Sequence, residues 1–263
     1  MDVLRLVVPE WDHFGGLVHG FLGRRGGRSQ PPYASLNFSY ENGDDVQTVS
    51  QNWCDLKLAV GLHDLTVITA KQVHGDAILK VSNGTGKRVG VGDGLMTDAL
   101  NLFLGVMAAD CVPLLFQEPR RRIAAAVHAG WRGTAAAIAA TAVTRMKEEY
   151  LIDPSALYVA LGPSIGPCCY EVGPEVVEQI GARWMGVVKD AWRPKGAKGN
   201  LDLRAINEAQ LVAVGVPRHQ IQQVGPCTAC NVDEFFSYRK EGKTGSQLSF
   251  IGWLESPHPG LLP

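Results

Sequence analysis

The sequence predicts one mixed α/β (α+β) domain in which mixed β-sheets are flanked by helices. Seven short apolar or β-branched runs outnumber four helical segments. The two kinds do not alternate with the regular crossovers of a doubly wound parallel sheet. The 263 residues, 46% hydrophobic, support one sizeable core, and no repeat or low-complexity tract divides residues 1–263. Glycine- and proline-rich residues 23–32 and 194–199 read as surface loops.

In chain order, the first helix is expected over 45–60, where Val46, Val49, Trp53 and Leu56 recur at helical spacing. Strands follow at LTVIT (65–69), LFLGV (102–106), VPLLF (112–116) and IAAAVH (123–128). An Ala-rich helix is expected over 134–150, with Thr134 available as its N-cap. ALYVALG (156–162) returns to strand. Pro174 in a first turn opens a helix over 174–184, and Gly215 caps another over 203–214. IQQVG (221–225) and LSFIGW (248–253) are the last strands.

The formal net charge of -1 gives no global attraction to nucleic acid or an anionic membrane. The basic runs at Arg24-Arg25 and Arg120-Arg121-Arg122 are too short to change that. The start MDVLRLVVPE lacks the basic-then-apolar pattern of a secretory signal. The longest apolar stretch, Leu102 to Phe116, is broken by Asp110 and Pro113 and falls short of the ~20 residues of a membrane span. A cytoplasmic protein with small-molecule partners is expected, monomeric or weakly dimeric.

Chemistry concentrates at three residues. His74, Cys111 and His128 each stand at the polar edge of an apolar segment, 37 and 17 residues apart. That spacing lacks the close pairs of structural zinc modules, and three convergent ligands would leave a zinc ion one open position. Asp110, an acid inside an apolar run, needs a partner or a site role. His128 opens HAGWRGT, a glycine-flanked turn into a helix, where Arg132 adds a planar cation suited to an oxyanion. Of the other thiols, Cys227-x-x-Cys230 has the spacing of a redox pair or half a zinc site, and Cys168-Cys169 could complete a four-thiolate cluster. Without a thioredoxin-like βαβ setting, the favoured reading is reduced and structural. Cys54 is read as packing.

The chain resembles the YfiH family, also called the laccase-domain or polyphenol oxidase family, which includes the mammalian FAMIN protein. The matching text is HGFLGRRGG, PYASLNFSYENGDD, KQVHGD, DGLMTD, AADCVPLLF, AVHAGWRGT, LGPSIGPCCYEVG, LDLRAINEAQL, CTAC and FFSYRKEGKTG. The resemblance implies an α/β/β/α-like fold grouped with cytotoxic-necrotizing-factor-type cysteine hydrolases. It also implies zinc on His74, Cys111 and His128, phosphorolysis of adenosine, inosine, guanosine and methylthioadenosine, and deamination of adenosine. Asp110 is then the expected proton shuttle and Arg24 and Arg132 the expected phosphate contacts. Asn37 is the expected sugar or base contact, with Arg239 a further substrate or phosphate candidate. The rival readings are a Cys/His hydrolase editing peptidoglycan precursors, and a copper-dependent laccase, which seven histidines without H-x-H pairs serve poorly. A non-enzymatic module would need a fourth zinc ligand from Cys227, Cys230 or the vicinal pair. Two departures stand out: Leu22-Gly23 replaces a common Ser-Thr pair, and Ser246 replaces an arginine.

Overall fold

The computed structural model describes residues 3–59 and 66–255. Strands β1 (Arg5–Leu6) and β2 (Leu17–Leu22) precede helix α1 (Val46–Ala59). Then come β3 (Thr66–Lys71), β4 (Ile78–Lys80), β5 (Arg88–Val91), β6 (Gly94–Thr97), β7 (Leu102–Ala108), β8 (Val112–Glu118) and β9 (Ile123–Ala129). Helices α2 (Trp131–Ala135) and α3 (Ile138–Tyr150) lead to β10 (Tyr158–Leu161) and β11 (Glu171–Val172). After α4 (Pro174–Ala191) come β12 (Trp192–Lys195), β13 (Lys198–Leu201) and α5 (Leu203–Ala213), and the chain ends with β14 (Ile221–Gln223), α6 (Tyr238–Glu241) and β15 (Gln247–Trp253). The predicted helix end at Val60 and strand start at Leu65 lie outside the described residues.

Two six-stranded sheets, β1-β2-β15-β7-β3-β5 and β14-β10-β8-β9-β6-β4, face each other, and β11-β13-β12 forms a small third sheet. Side chains alternate across each strand, so the apolar residues sort into three layers of core. Leu104, Val106 and Ile251 of the first sheet meet Leu95, Leu115 and Ala126 of the second between the sheets. Val112, Leu114, Val127 and Ala129 point the other way, onto Ile138, Val143, Ile180 and Ile206 of α3, α4 and α5. The outer face of the first sheet packs Phe103 and Phe250 against Leu56 of α1 and against Leu36 and Phe38. The order is helix, sheet, sheet, helix.

One topological fact positions the site. Strand β3 runs parallel to both β7 and β5, so all three end at the same edge of the first sheet. Each passes directly into a strand of the second sheet, β3 to β4, β5 to β6 and β7 to β8. The crossings at residues 72–77, 92–93 and 109–111 therefore gather at one end of the sandwich. Val112 pairs with Ala129, which brings the last residues of β9 to the same place.

The predicted helix over 134–150 is two helices, because Ala137 adopts a left-handed backbone (φ 69°) between α2 and α3. Thr134 is consequently no N-cap. Gly130 occupies that position, and the buried Thr134 hydroxyl accepts from Asn207 Nδ2 at 2.9 Å. The helix from Pro174 continues past the predicted end, with a kink at Trp184 itself. Asp45 and Asp202 cap α1 and α5 with their carboxylates. No helix among the described residues is long and apolar enough to cross a membrane.

His19 on β2 is buried and accepts the Val8 N–H at its Nε2 (2.9 Å). Burial, reinforced by the charge of Arg5, lowers its pKa from 6.5 to about 3. The unfolded chain thus binds the extra proton over that interval, and stability contributed by the neutral ring is lost as pH falls from 6.5 toward 3. Urea titrations should show stability dropping by up to roughly 1.4 kcal/mol per pH unit in that window. His19→Gln should lower stability at pH 7 and flatten this part of the profile; an unchanged slope would refute the assignment.

Candidate active site

Asp93, at the β5–β6 crossing, is almost fully buried. Its carboxylate accepts the backbone N–H groups of Val73, His74 and Gly75 at 3.1, 2.9 and 2.8 Å. It also meets Nδ1 of His128 at 2.9 Å, while its own carbonyl accepts the His128 N–H at 2.7 Å. Burial alone would raise the Asp93 pKa, but the His128 hydrogen bond, the N–H groups and the His128 charge together lower it. Four donors to one carboxylate also hold the turn that places His74 in the left-handed region (φ 62°).

Asp110 sets Cys111. The aspartate turns the β7–β8 crossing through a left-handed backbone (φ 92°). Its Oδ1 accepts the Thr228 hydroxyl and its Oδ2 the Arg239 N–H, both at 2.6 Å, and its carbonyl accepts the Ile165 N–H at 2.9 Å. Gly130 lets the third element approach. A Cβ there would stand 2.9 Å from His74 Cδ2 and 3.1 Å from Cys111 Sγ.

Ligand atoms of His74, Cys111 and His128 consequently lie within 4.8 Å of one another. The two imidazole rings stand nearly perpendicular, with centroids 4.9 Å apart. Burial opposes charge on both Cys111 and His128. The charge of His128 and hydrogen bonds from both histidines nevertheless lower the Cys111 pKa, while Cys111 and Asp93 raise that of His128. The pair is polarised toward thiolate and imidazolium.

These residues form the floor of a cavity of about 930 Å³, in the range that holds a small organic ligand. Asp110, Arg132 and Arg239 line it, together with Tyr170, Lys198 and Tyr238. Arg132 is exposed and lies over the Trp131 ring at 4.3 Å. Arg239 donates to the Glu171 carbonyl at 2.7 Å and leans on Tyr170.

Two of the expected contacts stand outside the cavity lining. Arg24 is absent from the cavity wall; its guanidinium binds the carbonyls of Ala34 and Val232 and the Glu241 carboxylate, and covers Phe236. Asn37, fully buried, gives its amide to Ser39, Asn42 and Asp44 and accepts from Ser39, Asn42 and Ser246. Neither side chain lines the cavity. Ser246, where an arginine was expected, does line it.

Residues 18–254 match the family described as multi-copper polyphenol oxidoreductase laccase. A purine nucleoside phosphorylase YlmD from Geobacillus stearothermophilus is 39% identical, covering 92% of each chain. The chain belongs to the YfiH/YlmD family of laccase-like proteins. A purine nucleoside phosphorylase YfiH from Escherichia coli is 34% identical, with 95% of this chain and 99% of that protein covered. The crystal structure of a hypothetical protein YfiH from Bacillus licheniformis superposes with a TM-score of 0.88 at 35% identity, covering 95% of this chain and 96% of that one.

For this YfiH-family chain, the donor chemistry supports metal binding. Asp93 occupies Nδ1 of His128, leaving Nε2 for the cluster, the carboxylate–histidine arrangement that supports bound metal elsewhere. One thiolate and two imidazoles suit a borderline or soft divalent ion. Cys227 and Cys230 belong to a separate cluster, so the three donors lack a fourth from them.

Asp93→Asn keeps the size of the side chain but loses the charge that orients His128. It is expected to weaken metal binding by about 10–100-fold, read by competition with a chromogenic chelator. Affinity equal to that of the unaltered chain would remove Asp93 from the design.

Proposed function

We propose that this chain is a zinc-dependent purine nucleoside phosphorylase acting on adenosine, inosine, guanosine and S-methyl-5′-thioadenosine, with deamination of adenosine as a second reaction. Relatives described as purine nucleoside phosphorylases favour the phosphorylase class. The observation that carries the reading is the meeting of the Asp93-held His128, Cys111 and His74 with exposed cations in one nucleoside-sized cavity.

Zinc held by His74, Cys111 and His128 would supply Lewis-acid chemistry at the cavity floor. In phosphorolysis a phosphate oxygen bonds to C1′ of the ribose, the C1′–N9 bond breaks with its electron pair going to the base, and the base takes up a proton. Arg132 and Arg239 would hold the phosphate by charge-assisted hydrogen bonds. Tyr238, exposed at the cavity wall, offers an aromatic face for the purine. Asp110, whose two carboxylate oxygens hold Thr228 and the Arg239 backbone, acts in this reading as a positioning residue rather than the proton shuttle.

A second reading has its own observation. Cys111, His128 and Asp93 form a thiol–imidazole–carboxylate series of the kind that activates a nucleophile, which favours a cysteine hydrolase. Alkylation separates the two, since a metal-bound thiolate resists iodoacetamide until a chelator is added.

Purified protein incubated with inosine and phosphate should release hypoxanthine and ribose 1-phosphate. Cys111→Ala should abolish this. Arg132→Ala should raise KM for phosphate roughly tenfold or more, from about 1.5–3 kcal/mol per hydrogen bond to a charged group, with a smaller change in kcat. Full phosphorolysis by a metal-free Cys111→Ala protein would overturn the reading.

A further inference from the structure

Cys168, Cys169, Cys227 and Cys230 come from two loops sixty residues apart in sequence, yet their four sulfurs lie within 4.8 Å of one another. We propose that they form a second, tetrathiolate zinc site, separate from the His74–Cys111–His128 cluster, whose role is to lock the two loops that position Asp110.

The local backbone builds this convergence. Ser164 and Cys227 bridge the two loops, and the Thr228 N–H donates to the Ser164 carbonyl at 3.1 Å. The Cys227–Cys230 segment winds into a single 3-10 turn, which turns both sulfurs to one side. Cys227 Sγ accepts the Gly166 N–H at 3.2 Å. Arg204 ties the loops further, donating to Ser164 and to the carbonyls of Gly225 and Pro226. Its cation stands near a site that would carry net negative charge once four thiolates surround a divalent ion.

Distances discriminate among occupants. Cys230 Sγ lies 3.5 Å from Cys168 Sγ and 3.3 Å from Cys169 Sγ. Tetrahedral ligation at about 2.3 Å per Zn–S bond places sulfurs about 3.8 Å apart. An iron–sulfur cluster interposes several atoms and spreads its thiolates further than this group allows. Disulfides would sort the sulfurs into two pairs, whereas Cys230 is equally near both members of the vicinal pair. Zinc binding would release protons from the thiols that ligate it.

The consequence reaches the catalytic cavity. Thr228, between the two cysteines of the turn, donates to Asp110 Oδ1, and Ile165, on the other loop, donates to the Asp110 carbonyl. Both loops of the cluster therefore grip the residue preceding Cys111.

Metal analysis tests this independently of activity. The unaltered chain should hold about two equivalents of zinc and Cys111→Ala about one. Cobalt-loaded Cys111→Ala should show the intense thiolate-to-cobalt charge-transfer and tetrahedral d–d bands of four-sulfur ligation. Its Tm should rise with added zinc, and that rise should vanish when Cys230→Ser is added. Should the double variant fail to fold, thiol counting on Cys111→Ala decides: four cysteines protected from a disulfide reagent until chelation support the site. All five thiols of Cys111→Ala reacting immediately with no metal bound, or the mass deficit of disulfide formation, would overturn it.

Discussion

The carboxylate of Asp93 is the interaction on which the candidate site depends. Taking a charge out of water costs several kcal/mol unless donors replace the lost hydration. Here three consecutive backbone N–H groups and an imidazole do so. The same hydrogen bonds fix a turn with a left-handed residue and a ring orientation. Remove the charge and His74 and His128 lose the reason to face each other.

Asp110 does a parallel task one crossing away, with a different set of partners. Its side chain reaches out to Thr228 and the start of α6, elements more than a hundred residues downstream. Cys111 is thereby held from the far end of the chain, while the histidines are held locally. Gly130 completes the convergence by contributing no side chain between them.

The long apolar strands β7, β8, β9 and β15 were legible because hydrophobic runs of that length have few other uses. The three ligand candidates were legible because each polar residue closes such a run. Asp93 was not, although DGLMTD stood in the matched text: strand β6 is four residues long and an acid beside glycine reads as a turn. The placement of Arg24 and Asn37 away from the cavity was not legible for a related reason. Polar side chains in glycine-rich segments suggest ligand binding, but theirs are spent on backbone carbonyls and neighbouring amides that no local pattern reveals. The break at Ala137 also escaped, since an Ala-rich stretch carries only helical preference and tertiary contacts decide where it bends.

The crossings from sheet to sheet carry a consequence for how the protein matures. His74, Asp93, Cys111 and His128 flank β4, β6, β8 and β9, which are neighbours in the second sheet, so pairing of those four strands is what gathers the cluster. Until those strands pair, a nascent chain has every ligand but not their convergence. Affinity for a metal or substrate here therefore reports that the second sheet has paired, and any ligand that binds the cluster stabilises that pairing in return.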